Sequence, residues 1–93
     1  MLVSNLDIDE KNSLYYEYEE GKRNNFTYVF VNALTGNTSA WNGVIGKRVK
    51  DEGHGYLTYN FRGQINSTFD ERINLDSEII ISDLLKLINH LKK

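Results

Sequence analysis

The chain has no cysteine and no proline. The absence of thiols excludes a disulfide framework, a thiolate zinc site and a cysteine nucleophile. With no proline and no stretch of linker composition, nothing divides the sequence, and residues 1–93 are expected to form a single domain. No apolar run approaches the roughly 18 to 20 residues that a bilayer-spanning helix needs. The opening stretch MLVSNLDIDEKNS lacks the basic and then apolar segments of a secretory signal. A cytoplasmic protein with no membrane partner is therefore expected. Phosphate-binding glycine loops, dinucleotide fingerprints, metal triads and the nucleophile elbow are missing as well. Neither a metal nor an organic cofactor is expected, no residue is assigned a catalytic role, and the chain reads as non-enzymatic.

What is present is enough for a core: 40% of the residues are hydrophobic, among them six Tyr, four Phe and one Trp. Charged residues, at 26%, lie in the ordinary globular range, which argues against disorder. The formal net charge is −2 but unevenly spread: residues 1–20 hold six acids and one lysine, whereas residues 21–63 hold six bases and two acids. Such a split can orient a partner by its field, yet so small a total does not suit a protein that neutralises many phosphates.

Residues 1–12 predict a short edge strand at Leu2 and Val3 or a mobile lead-in. Ser13 to Glu19 alternates Leu14, Tyr16 and Tyr18 with Tyr15, Glu17 and Glu19, the period of a half-buried strand. EGKRNN, residues 20–25, reads as a hairpin turn. Phe26 to Asn32 is β-favouring and apolar on both sides, so it is expected to be covered on both faces, by the C-terminal helix and by sheet curvature, a second layer or another subunit. LTGNTS, residues 34–39, reads as the next turn.

Ala40 to Lys50 is then expected as a third strand, with Trp41, Ile45 and Val49 inward and a bend at Gly43 and Gly46. Tyr56 to Arg62 follows as a fourth, with Leu57, Tyr59 and Phe61 inward, and Ile65 to Asp70 with Ile73 and Leu75 suggests an irregular fifth. From Ser77 onward Ile80, Ile81, Leu84, Leu85, Ile88 and Leu91 recur at helical spacing, with Asp76 or Ser77 as N-cap. A competing reading starts the helix at Ser82 and leaves residues 78–81 as a strand. The expected fold class is α+β: a small curved antiparallel meander of four to five strands with one C-terminal amphipathic helix, residues 77–92, packed on it.

Residues 40–62 would form a hairpin whose outward set, Arg48, Lys50, Tyr56 and Arg62, makes a basic and aromatic face. Aromatics beside cations on a sheet are how single-strand binders stack bases and hold phosphates. Trp41, Gly43, Gly46 and GHGYLTY also resemble one unit of the MORN repeat, whose hairpins carry similar tryptophan and glycine elements. No second copy follows, so the resemblance implies a hairpin rather than a repeat array. His54 in its glycine-flanked turn and His90 near the helix end read as structural, because an exposed loop excludes little water. Glu17 and Glu19 share a strand face with Tyr15, and charges at a sheet edge discourage strand addition.

The function these features favour is a small non-enzymatic protein-binding module: an inhibitor, immunity or adaptor protein, of the viral anti-defence kind, that occupies a surface of another protein. Its expected contact residues are Arg48, Lys50, Tyr56 and Arg62 together with Tyr15, Glu17 and Glu19, since aromatic and arginine side chains are the usual interface anchors. Homodimerisation is a linked expectation, as cover for residues 26–32. The alternative is a single-stranded nucleic-acid-binding protein that uses the 40–62 hairpin.

Overall fold

The computed structural model describes residues 1–22, 26–31, 41, 43–64, 66–70 and 75–92. Strands β1 (Leu2–Asp7) and β2 (Ser13–Glu19) form an antiparallel hairpin with Leu2 opposite Tyr18 and Asp7 opposite Ser13. Asp9 fixes the turn between them, because its carboxylate accepts from the backbone N–H groups of Lys11 and Asn12 at 2.9 and 3.0 Å. Strand β3 (Thr27–Phe30), helix α1 (Val44–Asp51) and strand β4 (Gly55–Tyr59) make a crossover unit in which β3 and β4 run parallel, with Thr27 opposite Gly55 and Phe30 opposite Thr58. β4 also pairs antiparallel with β2, Tyr16 opposite Tyr59, so the sheet order is β1-β2-β4-β3.

Helix α2 (Ser77–Leu91) covers the sheet face opposite α1. It begins at Ser77, the longer of the two expectations, with the Asp76 carboxylate accepting from the Ile79 N–H at 2.9 Å. Leu87 and the partly buried Ile80, Leu84, Ile88 and Leu91 meet Leu14, Tyr16, Leu57, Tyr59 and Phe61 to form the core. A fully buried leucine such as Leu14 or Leu57 contributes about 1.5–3 kcal/mol relative to exposure. Ile81 and Leu85, expected inward, face solvent.

Several expectations are corrected. The sheet is mixed, not an antiparallel meander, because β4 is inserted between β2 and β3, which are neighbours in sequence but do not pair. The expected third strand is helix α1, giving two helices among the described residues. Trp41, Ile45 and Val49 recur every fourth residue, a spacing that satisfies both a strand and one helical turn, so the pattern could not separate them. Gly46 marks a close approach rather than a bulge: a Cβ there would lie 2.7 Å from the Trp41 carbonyl oxygen and 3.3 Å from the Tyr56 ring. The MORN-like hairpin is therefore not formed. β3, expected to be covered on both faces, is an edge strand with Tyr28 and Val29 exposed. β4 stops at Tyr59, short of Arg62, and residues 66–70 form no strand. Ile65 and Ile73 of the expected fifth strand, the turn at 34–39, and residues 23–25, 32 and 40 lie outside the described residues. No helix among the described residues is long and apolar enough to cross a membrane.

Candidate functional site

β3 and β4 end side by side, and β2, running the other way, begins at the same end. In open sheets with parallel strands, ligands and reacting groups gather beyond the carboxyl ends of those strands. This end is therefore the candidate site, and the chain after β4 is knitted onto it. Ser67 Oγ donates to the Asn60 carbonyl at 3.0 Å and accepts from the Tyr15 N–H at 2.8 Å. Ser13 Oγ accepts from the Thr68 N–H at 3.1 Å and from the Thr68 hydroxyl at 2.9 Å, while the Ser13 N–H donates to the Thr68 carbonyl. The Gln64 side chain accepts from the Phe61 N–H at 2.7 Å, and Asn12 accepts from the Asp70 N–H at 2.8 Å. Gly63, at φ +82°, and Asn66, at φ 65°, supply the left-handed turns that let this loop reverse.

Arg62, just beyond β4, forks onto Asp83 of α2. Its guanidinium is held above its ordinary value by those hydrogen bonds. The buried polar residues Asn12, Ser13, Asn60, Ser67 and Asp83 thus cluster around the β4 end. Their bonds position backbone. His54 sits at the opposite, amino end of β4 against Phe26 and Tyr28, and His90 lies edge-on to Tyr16. No group of His, Cys, Asp or Glu among the described residues can hold a metal ion.

The residues expected to make contacts fall on both sides of the sheet. Arg48 is exposed on α1 and pairs with Glu52, Nε to Oε1 at 3.0 Å. Lys50 Nζ meets Glu19 Oε1 at 2.8 Å, tying α1 to the end of β2 and holding the Glu19 carboxyl below its usual range. Tyr56 is buried against Gly46 of α1, and burial pushes its phenol up. The Tyr15 hydroxyl donates to Glu17 Oε2 at 2.7 Å, which pushes the phenol up to about 12. Lys50, Glu19 and Tyr56 therefore share one corner, Tyr15 and Glu17 pair on β2, and Arg62 reaches α2 on the other side of the sheet. Tyr15, Glu17, Glu19 and Tyr56 lie on the sheet face that α1 packs against, and Arg62 is the one of the seven that reaches α2. Asp83 was not singled out from the sequence, although its place among Ile80, Leu84 and Leu87 on the inward stripe is a signal: an acid there needs a buried cation.

No protein-family model and no curated protein matches the sequence. Solved structures do match the fold. A carboxylesterase of the ammonia-oxidizing thaumarchaeon Nitrososphaera gargenis superposes with a TM-score of 0.81 at 22% identity, over 96% of this chain and 32% of that chain. Alpha/beta hydrolase domain-containing protein 10 from mouse superposes with a TM-score of 0.69 at 20% identity, over 95% of this chain and 34% of that chain. The chain spans about a third of the length of these hydrolases. This likeness overturns the expectation of a non-enzymatic inhibitor, immunity or adaptor module of viral kind, because the fold superposes on part of two hydrolase structures. The 40–62 hairpin of the nucleic-acid alternative is not formed either, because residues 44–51 are helical.

Proposed function

We propose that this chain builds about a third of an α/β-hydrolase-type catalytic domain that cleaves carboxylic esters. The observation that carries the reading is the order β1-β2-β4-β3 with its parallel β3-α1-β4 crossover, which superposes on a carboxylesterase over 96% of the chain. In that fold the nucleophile stands on a strand-to-helix elbow, and one oxyanion donor is a backbone N–H from the segment between the third strand and the following helix.

This sequence has no such elbow, so the reading assigns neither nucleophile nor base to residues 1–93. Its own contribution is a four-stranded part of the sheet and the loop after β4 that Ser13, Ser67 and the Arg62–Asp83 pair hold in place. Attack on the ester carbonyl forms a tetrahedral oxyanion, whose stabilisation by preorganised N–H groups is the largest demand the fold meets. Alcohol leaves first, and water then releases the acid.

The test uses the intact polypeptide that carries this chain in its source. It is expected to hydrolyse p-nitrophenyl butyrate and to be labelled covalently by a fluorophosphonate, while residues 1–93 alone do neither. An intact, folded polypeptide that neither labels nor hydrolyses any of a panel of p-nitrophenyl esters would overturn the reading.

A further inference from the structure

Helix α2 leaves part of its sheet face uncovered. Among the described residues, the side chains that form the core with Leu87 come from β1, β2, β4 and the chain beside them, and none comes from β3. On this face Tyr18, Leu57 and Val29 stand in one row, because Tyr18 and Val29 are each the register partner of Leu57. The last turn of α2 runs beside the row and leaves a cleft of about 250 Å³, with buried Leu57 as its floor and Val29, Ile88 and Leu91 among its walls. Thr27, which opens β3, also lines it, so the cleft lies towards the amino end of that strand.

The charge at the cleft is of one sign. No acid lines it, whereas exposed Lys92 does, and Lys92 makes no ion pair among the described residues. Tyr18 and Thr27 add hydroxyl-bearing side chains to the lining. An apolar hollow with a few polar groups selects a ligand by its body and orients it by its head, and an unpaired ammonium asks for an anionic head. The carbonyls that end α2 oppose an anion, so the choice of head depends on the ammonium of Lys92. Size sets the length of the body. The cleft is larger than the roughly 150 Å³ apolar cavity that accepts benzene and smaller than the roughly 300 Å³ at which pockets for drug-sized molecules begin. At about 30 Å³ for each heavy atom, the share of liquid volume that a water takes, it holds about eight heavy atoms, the number in hexanoate.

We propose that this cleft binds a short aliphatic carboxylate, its alkyl chain lying along Tyr18, Leu57 and Val29 and its carboxylate meeting the ammonium of Lys92. The site is separate from the loop after β4, and the inference goes beyond the proposed ester cleavage without resting on it.

The chain, labelled with nitrogen-15, is titrated with hexanoate, hexanol and hexylamine at constant salt while backbone amide shifts are followed by NMR. Hexanoate is expected to give saturable shifts at Val29, Leu57, Ile88 and Leu91 and to bind more tightly than hexylamine. Lengthening the probe from butanoate to hexanoate is expected to tighten binding about fourfold for each methylene, as burial of a CH₂ group requires. Lys92→Gln is expected to weaken hexanoate about two- to fivefold, the range of an exposed ion pair, and to leave hexanol unchanged. Val29→Asp, which sets a carboxylate in the wall, is expected to abolish hexanoate binding; Thr27→Asp serves if that variant fails to fold by circular dichroism. Hexylamine binding as tightly as hexanoate, hexanoate binding untouched by Lys92→Gln, or shifts that do not saturate each overturn the site. Shifts at Val29 and Ile88 that grow with the chain's own concentration before any probe is added assign the cleft to a second copy and also overturn it.

Discussion

Arg62 and Asp83 form a two-pronged ion pair, Nε to Oδ2 at 2.7 Å and Nη2 to Oδ1 at 2.8 Å, with side chains 8% and 4% exposed. The pair fastens the chain just past β4 to the inner face of α2. The planar guanidinium matches the carboxylate prong for prong, which offsets part of the cost of taking both charges out of water.

Removing one partner strands the other charge in the interior. Arg62→Met and Asp83→Leu are each expected to lower stability by roughly 3–5 kcal/mol, while the double variant, with two apolar side chains, loses much less. Urea unfolding of the three variants checks this. Losses that simply add would show that the two groups do not depend on each other.

Gly46 offers a test of how tightly α1 presses on the sheet. At an open helix position, replacing glycine by alanine gains about 1 kcal/mol. Gly46→Ala is expected to lose stability instead, because its methyl group would meet the Trp41 carbonyl oxygen at 2.7 Å. A raised urea midpoint would mean that the helix can move off Tyr56 freely.

The Glu19–Lys50 bridge predicts a stability profile with two flanks. Its hydrogen bond lowers the Glu19 pKa and raises that of Lys50. The depressed acid contributes stability above its unfolded value of about 4.3, lost as pH falls through the folded value. The raised lysine contributes below about 10.4, lost as pH rises through its folded value. Glu19→Gln should flatten both flanks in urea midpoints taken across pH. A profile unchanged from the parent would remove the bridge as the cause.

The parts of the fold legible in the sequence are those where periodicity admits one answer. β2 follows from Leu14, Tyr16 and Tyr18 on one side, and α2 from an apolar recurrence over four turns with Asp76 in front of it. Residues 41–51 were not legible, because apolar residues four apart fit either element and two glycines argued for a bent strand. Mistaking α1 removed the crossover and with it the parallel pairing of β3 and β4. Tyr56 and Arg62 then fell on one imagined face, whereas one lies against α1 and the other reaches α2. The polar network at the β4 end was invisible for another reason: Ser13, Asn60 and Ser67 carry no pattern in the sequence that links them until the chain brings positions 13 and 67 together.

Among the described residues β4 is the last strand in sequence, yet it lies between two earlier ones in space. The β1–β2 hairpin closes over the short turn of residues 8–12 and can form by itself, on a timescale of microseconds. β4 must be brought back across everything between Glu19 and Gly55, a closure that costs entropy before any contact rewards it. Its arrival is expected to set the folding rate, so that Leu57→Ala slows refolding in stopped flow while Leu6→Ala mainly speeds unfolding; the reverse pattern would put the nucleus in the hairpin. Until β4 is seated, the facing edges of β2 and β3 are both open, and that interval is when the chain is most prone to pair with the wrong neighbour.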